Sequence, residues 1–206
     1  NPKMKIICIG RNYINHIKEL ENKIPTEPLF FLKPDTAIQP RNHPFFIPHH
    51  SKNIQYEVEL VLKINKSGKH IEEKFACNYY SEIGLGIDFT ARDVQDDCKK
   101  KGLPWEIAKG FDGSAQISNN FINKSDLVIN NILFSLNKNG KQVQFGNSND
   151  MIFNFEKIIS YVSKFYTLKI GDLIYTGTPS GVGKVLAGDY LNGFIGEKEM
   201  FKVLIR

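Results

Sequence analysis

The chain has 206 residues, of which 41% are hydrophobic, 12% aromatic and 24% charged. This length suits one domain, and the composition excludes disordered and fibrous proteins, so we expect a single domain over residues 1–206. The net charge of +5 is mild and diffuse, which argues against a nucleic-acid partner, and no apolar run approaches the roughly 20 residues of a membrane-spanning helix.

Strands dominate the predicted secondary structure. Short apolar or alternating runs predict strands, in chain order, over residues 5–9, 29–32, 56–64, 83–89, 132–136, 142–145, 173–176 and 201–205. Between two of these strands, Asn139-Gly140 is the dipeptide that a tight two-residue turn favours. We therefore predict a β-hairpin at this point of the chain.

Three segments are predicted to be helical, over residues 13–20, 90–101 and 152–165. The second is followed by Gly102 and then Pro104, which is typical of a helix C-terminus. The third carries apolar residues at helical spacing and should pack on the core. Because strands outnumber helices and do not alternate with them, we predict a mixed α+β fold, mostly β, with a few peripheral helices.

The three cysteines Cys8, Cys77 and Cys98 are odd in number and widely spaced, and no C-x-x-C pair occurs. A disulfide framework and a structural zinc site are therefore both disfavoured. A reducing compartment suits such a chain best, and the sequence shows no secretory signal. We expect the protein to be cytoplasmic.

Glu57 and Glu59 form the first group that could carry chemistry. They lie two apart in a predicted strand, so both side chains point to the same face. Two carboxylates on one face suit a hard cation such as Mg²⁺, which prefers oxygen ligands. The spacing alone favours a simpler interpretation, in which both glutamates lie on the solvent face of an amphipathic strand.

Asp88 follows a predicted strand and precedes a predicted helix. It could cap that helix, as Asp often does. It could also supply a third carboxylate to Glu57 and Glu59, in which case mutual repulsion would raise the pKa values of the group unless a cation were bound. Sequence spacing does not decide between these interpretations.

His16 and Glu19 lie three apart on a predicted helix and are neighbours on its surface. A carboxylate beside an imidazole orients it and raises its basicity, as a general base requires. A surface salt bridge would have the same spacing. Both interpretations stay open.

Lys109 lies among apolar residues. It either extends to solvent or is buried beside a carboxylate or a substrate oxyanion. Residues 177–184 are rich in glycine but do not form a P-loop, because Thr178 replaces its first Gly and Val185 its Ser or Thr. Their N–H groups could still hold a carboxylate.

Together these segments resemble the fumarylacetoacetate hydrolase family, in particular its small single-domain acylpyruvate hydrolases and oxaloacetate decarboxylases. The similarity begins near Lys5 and runs in the family's order to the C-terminus. The matching stretches are Gly10-Arg11-Asn12-Tyr13 with His16 and Glu19, Phe31-Leu32-Lys33-Pro34, Tyr56-Glu57-Val58-Glu59-Leu60, Asp88-Phe89-Thr90-Ala91-Arg92-Asp93-Val94-Gln95, Lys101-Gly102-Leu103-Pro104-Trp105, Ala108-Lys109-Gly110-Phe111-Asp112 and Tyr175-Thr176-Gly177-Thr178-Pro179.

The resemblance implies a β-roll, usually a homodimer, with one catalytic domain and a mobile lid at residues 11–25. It also implies the roles of individual residues. These are a Mg²⁺ or Mn²⁺ site at Glu57, Glu59 and Asp88, a catalytic dyad of His16 and Glu19 on the lid, an active-site lysine at Lys109 that also contacts substrate, and further contacts to a 2-oxo acid from Arg92, Gln95 and Thr178.

The activity implied by the resemblance is metal-dependent hydrolysis of a C–C bond in acylpyruvate-type 2,4-dioxo acids, with release of pyruvate. Oxaloacetate decarboxylation is a possible second activity, since both reactions pass through the enolate of pyruvate. Two alternatives stay open. One is an isomerase or decarboxylase of 2-hydroxy-dienoate diacids in aromatic catabolism, and the other is a non-catalytic binding protein with the same fold.

Overall fold

The structure is a computed structural model that describes residues 4–21 and 23–206. The described residues form fourteen strands, which in chain order are β1 (Ile6–Gly10), β2 (Leu29–Lys33), β3 (Ile54–Tyr56), β4 (Val58–Ile64), β5 (Tyr80–Asp88), β6 (Thr90–Ala91), β7 (Ala115–Ile117), β8 (Ile122–Asn123), β9 (Leu133–Lys138), β10 (Lys141–Asn147), β11 (Leu173–Tyr175), β12 (Gly183–Lys184), β13 (Tyr190–Ile195) and β14 (Lys198–Leu204).

Helices are fewer and mostly short. The α-helices are α1 (Ile14–Glu19), α2 (Glu73–Ala76), α3 (Arg92–Lys101), α4 (Glu106–Lys109) and α5 (Phe155–Phe165). Single 3-10 turns occur at Asp35–Ala37, Cys77–Tyr79, Lys124–Asp126, Ile129–Asn131 and Ser148–Asp150. Among the described residues, no helix combines the length and the apolar character that a membrane crossing requires.

The strands are arranged in three sheets. The largest has the order β2-β1-β11-β4-β5-β7, with β8 also paired to β5. The second sheet has the order β10-β9-β13-β14 and the third the order β12-β3-β6. Neighbouring strands pair antiparallel, except β1 and β11, which pair parallel. The order of the large sheet places β11 between β1 and β4, so strands that are distant in sequence meet at its centre.

The large sheet is covered on both faces. One face contributes Leu60, Leu85 and Ile174 to the main core, together with the inner face of the second sheet and helix α5. The opposite face packs Val61 and Tyr175 into a smaller apolar cluster. Strand β4 at the centre is consequently buried on both sides, as continuous apolar runs in a covered sheet require.

Most sequence-based predictions of secondary structure are confirmed, including the mostly β fold class and the hairpin. Asn139 and Gly140 have φ of 53° and 80°, the left-handed values of a tight hairpin turn between β9 and β10. Gly102 ends α3 with φ of 65°. Strands β7 and β13 were not predicted, because they lack a clear alternating or apolar run, and the two-residue strands β6, β8 and β12 and the four-residue helices α2 and α4 were also missed.

Several boundaries differ from the predictions, and three of the differences have a physical reason in the structure. The predicted strand over residues 56–64 is interrupted at Glu57, where the chain passes from the third sheet to the large sheet. Helix α3 begins at Arg92 because residues 90 and 91 pair with β3 instead. Helix α5 begins at Phe155, where the side chain of Asn154 accepts a hydrogen bond from Lys157 N (2.8 Å) and so caps the helix.

Candidate metal centre and active site

Three carboxylates meet where the third sheet joins the large one. Glu57 lies between β3 and β4, Glu59 lies in β4 and Asp88 ends β5. The backbone fixes this junction, since Asp88 N donates to Glu57 O (2.9 Å). One carboxylate oxygen from each residue lies within 4.8 Å of the others, and all three residues are buried.

This arrangement decides two of the open alternatives. Glu57 and Glu59 do not face solvent, because they are 5% and 1% exposed. Asp88 does not cap the following helix, whose N-cap is Ala91 with no side-chain hydrogen bond. The prediction that the two glutamates lie close together is confirmed. The interpretation that they face solvent is wrong, because other elements of the fold cover them.

Lys109 is buried and lies inside this carboxylate group. Its ammonium donates to Glu57 Oε2 (2.8 Å), Asp88 Oδ2 (2.8 Å) and Thr90 Oγ1 (2.6 Å). Burial lowers the pKa of Lys109, but Asp88 and Glu57 outweigh burial and raise this pKa above its ordinary value. Lys109 is therefore a fixed positive charge, and it must release one acceptor to contact a substrate oxygen.

Arg92, at the start of α3, forms a second cationic contact. Its Nη2 donates to Glu57 Oε1, while Nη1 donates to Gln95 Oε1 (2.6 Å) and Nε to Gln55 Oε1 (2.8 Å). Burial raises the pKa of Glu57, but Lys109 and then Arg92 outweigh it and hold this pKa below its ordinary value. Glu57 is thus ionised and doubly paired.

Lys33 supplies a third buried cation, which the sequence analysis did not assign to the site. Its Nζ lies 2.7 Å from Asp88 Oδ1 and donates to Ser114 O and Oγ (3.0 Å each). The only sequence signal for it is its place in the Phe31-Leu32-Lys33-Pro34 stretch. Asp88 is consequently held between two lysines, one on each oxygen.

Glu59 differs from the other two carboxylates, because within residues 4–21 and 23–206 no cation contacts it. Its Oε2 accepts a hydrogen bond from Gly177 N (2.7 Å). Gly177 has φ of 101°, and a Cβ there would lie 2.7 Å from Asn12 Cβ, so only glycine fits this turn. Burial raises the pKa of Glu59 well above its ordinary value, and Asp88 and Glu57 add to the effect.

These residues fit a divalent cation. The donors are buried carboxylate oxygens, which hard cations prefer, and none of the described cationic side chains contacts Glu59. Three buried cations, Lys33, Arg92 and Lys109, already balance the three carboxylates in number. An added divalent cation would therefore leave the site positive and suited to an anionic ligand.

His16 and Glu19 belong to α1, and His16 lines the same pocket as the three carboxylates. His16 Nδ1 is 3.2 Å from Glu19 Oε2, and Glu19 also accepts from Gly181 N (3.0 Å to Oε1). His16 is buried, and burial lowers the pKa of its imidazole despite the opposing charges of Glu57 and Glu19. Glu19 is exposed, so the pair joins a buried imidazole, neutral at neutral pH, to a carboxylate at the protein surface.

The predicted site residues come together in one pocket. Its lining includes His16, Glu57, Glu59, Asp88, Arg92, Gln95, Lys109 and Thr178, and Glu19 contacts the Nδ1 atom of His16. Arg11, Lys99 and Trp105 also line the pocket, and no sequence pattern had marked them as site residues. Only Asn22 of the expected lid segment, residues 11–25, lies outside the described residues, and the mobility of that segment stays a prediction.

Replacing Lys33 with Met should lower the free energy of unfolding by about 3 kcal/mol, because it leaves Asp88 with one cation fewer in a buried site. Urea unfolding of the metal-free protein measures this loss. Lys63→Met is the matched control, since the Lys63–Glu82 pair (2.9 Å) is about 40% exposed and should contribute less than about 1 kcal/mol. Equal losses in both variants would contradict a structural role for Lys33.

Comparison with known proteins agrees with this geometry. The family model described as fumarylacetoacetate (FAA) hydrolase C-terminal matches residues 5–202. The chain belongs to the fumarylacetoacetate hydrolase family. The match covers nearly the whole chain, as the resemblance of the sequence implied.

Three relatives carry three different activities in their names. "Oxaloacetate tautomerase FAHD1, mitochondrial" of Bos taurus is 44% identical over 191 residues, which are 92% of this chain and 86% of that protein. "Oxaloacetate decarboxylase, mitochondrial" of Dictyostelium discoideum is 45% identical over 189 residues, 91% of this chain and 86% of that protein. The solved fumarylpyruvate hydrolase of Pseudomonas aeruginosa, in complex with Mn²⁺ and pyruvate, is 34% identical with a TM-score of 0.92, covering 99% of this chain and 90% of that one.

Proposed function

We propose that this family member is a metal-dependent enzyme that enolises a 2-oxo diacid, with the keto–enol tautomerisation of oxaloacetate as its reaction. The observation that carries the proposal is the buried His16, whose Nδ1 lies 3.2 Å from Glu19 Oε2, in the same pocket as Glu57, Glu59 and Asp88. The Bos taurus relative named as an oxaloacetate tautomerase supports the choice of substrate. Tautomerisation was not among the reactions that the sequence suggested.

Enolisation needs a base for the proton on C3 and a stabilised oxygen at C2. Neutral His16 takes the C3 proton, and Glu19 stabilises the imidazolium that forms. The electron pair moves to the 2-oxo oxygen as an enolate, which regains a proton to give the enol. A divalent cation held by Glu57, Glu59 and Asp88 would supply a Lewis acid for that oxygen.

The cationic side chains of the pocket then have distinct roles in this proposal. Lys109 stays protonated and stabilises the enolate by charge, where the buried setting makes that charge most effective. Arg92, Gln95 and Thr178 bind the carboxylates and the oxo group of the substrate. The positive balance of the loaded site favours a dianion such as oxaloacetate over a neutral ketone.

Hydrolysis of acylpyruvates, the activity expected from the sequence, is the second candidate. The same dyad favours it, because His16 could take a proton from water instead of from carbon. Water would then attack the distal carbonyl, and the C–C bond would break with its electron pair left on pyruvate as the enolate. The fumarylpyruvate hydrolase of Pseudomonas aeruginosa supports this candidate. Oxaloacetate decarboxylation needs the same enolate but no base.

The decisive assay presents oxaloacetate enol and acetylpyruvate separately, first with Mg²⁺ and then with EDTA. The loss of enol absorbance measures tautomerisation, and coupled reduction measures pyruvate. We expect EDTA-sensitive loss of enol without release of pyruvate. Pyruvate from acetylpyruvate would instead establish the hydrolase, and pyruvate from oxaloacetate above the rate with free Mg²⁺ would establish the decarboxylase.

Three further features stay predictions. Mg²⁺ or Mn²⁺ is the expected cofactor, and the Mn²⁺ in the Pseudomonas aeruginosa enzyme supports either ion. A homodimer and a cytoplasmic location are expected from the family resemblance and from the free cysteines. The Bos taurus relative is named as mitochondrial, so the family also occurs in that compartment.

A further inference from the structure

Gln144 is a polar residue on the buried face of its strand. Strand β10 is an edge strand of the second sheet, and its apolar residue Phe145 is 53% exposed while Gln144 is 1% exposed. Burying a glutamine in place of the neighbouring phenylalanine costs free energy unless the amide is fully paired. Such reversals of pattern concentrate at functional positions.

The amide of Gln144 bridges two segments of the active site. Its Oε1 accepts a hydrogen bond from the backbone N–H of Val58 (2.9 Å), the residue between Glu57 and Glu59. Its Nε2 donates to Thr178 Oγ1 and to Pro179 O (2.9 Å each). These partners fix the orientation of the amide, because Val58 N can only donate and Pro179 O can only accept.

The orientation of the Gln144 amide determines the role of the Thr178 hydroxyl in their hydrogen bond. Since Gln144 presents an N–H group, Thr178 Oγ1 must act as the acceptor in their hydrogen bond. The hydroxyl proton of Thr178 is then left over, and the described part of the chain offers it no acceptor. Thr178 is buried, yet it lines the pocket, so the remaining direction for its proton is toward a bound ligand.

We propose that Gln144 is a positioning residue that turns the Thr178 hydroxyl into an obligatory hydrogen-bond donor for an anionic substrate. This inference rests on the proposed function, since it requires a 2-oxo acid in the pocket. It assigns to an edge strand of the second sheet a part in substrate recognition. It also separates Gln144 from the carboxylates, which Gln144 contacts only through the backbone of Val58.

Glu is the sharpest replacement for Gln144. In Gln144→Glu one oxygen still accepts from Val58 N, but the other offers Thr178 an acceptor, and the Thr178 hydroxyl turns its proton away from the ligand. Loss of one hydrogen bond to a charged ligand corresponds to about tenfold weaker binding. Gln144→Met, which offers neither donor nor acceptor, frees the hydroxyl and should cost less. Gln142→Glu, exposed on the same strand, is the control for added charge.

The experiment measures pyruvate binding to the Mn²⁺-loaded protein by calorimetry, and Mn²⁺ binding separately by electron paramagnetic resonance. We expect about tenfold weaker pyruvate binding in Gln144→Glu with Mn²⁺ affinity unchanged, a smaller loss in Gln144→Met, and none in Gln142→Glu. In a Thr178→Val background, Gln144→Glu should have no further effect, because no hydroxyl remains to be turned.

Other results would overturn the inference. An equal loss in both backgrounds, a larger loss in Gln144→Met, or a parallel loss of Mn²⁺ would show that Gln144 only supports the fold. Unchanged pyruvate binding in Gln144→Glu would overturn it while the proposed function stands. Absence of pyruvate binding in the unaltered, Mn²⁺-loaded protein would instead overturn the proposed function, and this inference with it.

Discussion

Replacing Glu59 with Gln should raise the melting temperature of the metal-free protein, whereas replacing Glu57 with Gln should lower it. The pKa of Glu59 is raised, chiefly by burial, so the folded state binds its proton more tightly than the unfolded state does. Ionisation of Glu59 at neutral pH therefore opposes folding, and Gln removes that cost. We expect a rise of about 3 °C, the scale of 1 kcal/mol in a chain of this size.

The opposite sign at Glu57 follows from its partners. Lys109 and Arg92 hold the pKa of Glu57 low, so its ionised form stabilises the fold above its unfolded-state pKa, and this stability is lost only in acid. Glu57→Gln leaves two buried cations without that partner. A loss of about 3–5 kcal/mol is typical of breaking a buried pair, which corresponds to about 10 °C here.

Although their effects on stability differ in sign, Glu57→Gln and Glu59→Gln should both weaken metal binding. If both glutamates hold the cation, each substitution should weaken Mn²⁺ binding by more than about 100-fold, since even residues behind the ligands contribute about 10–100-fold. Turnover should disappear in both. Calorimetric melting with and without Mn²⁺ measures the two effects together, with Glu82→Gln, at a half-buried position, as control. Retained Mn²⁺ binding in either variant would remove that residue from the metal site, and a destabilised Glu59→Gln would contradict the charge argument.

Local signals predicted the local parts of this fold. The turn at Asn139-Gly140 and the helix end at Gly102 depend on backbone conformations that few residues adopt, so one or two residues suffice to predict them. The period-2 spacing of Glu57 and Glu59 likewise predicted their common face. Short strands such as β7 carry no such signal, because the neighbouring strand β5 rather than their own sequence selects their conformation.

Burial of the carboxylates could not be predicted in the same way. Spacing states which side chains share a face, but it does not state what covers that face. The cover comes from distant residues, since Lys109 lies 52 residues after Glu57 and Gln144 lies 86 residues after Val58. Here the family resemblance supplied what local reasoning left open, while Lys33 and Gln144 required the structure.

Replacing His16 with Ala should lower the tautomerisation of oxaloacetate by about 100- to 10,000-fold, the usual contribution of a positioned base. His16 forms its hydrogen bond with Glu19 and not with the carboxylates of the proposed metal site. Mn²⁺ and pyruvate should therefore bind within about threefold of their original affinities. Exposed His49 provides the matched control, and His49→Ala should retain full activity. Unchanged tautomerisation in His16→Ala would exclude His16 from the mechanism.

The pH dependence tests the same assignment from another direction. Burial lowers the pKa of His16 from 6.5, and the base is the neutral imidazole, which predominates above that pKa. Activity should therefore persist through neutral pH and fall only below about pH 6.5, as the imidazole gains its proton. In His16→Ala the residual rate should lose this acidic limb. Decarboxylation of oxaloacetate needs no base, so any such activity should survive the substitution and separate the two reactions of one enolate site.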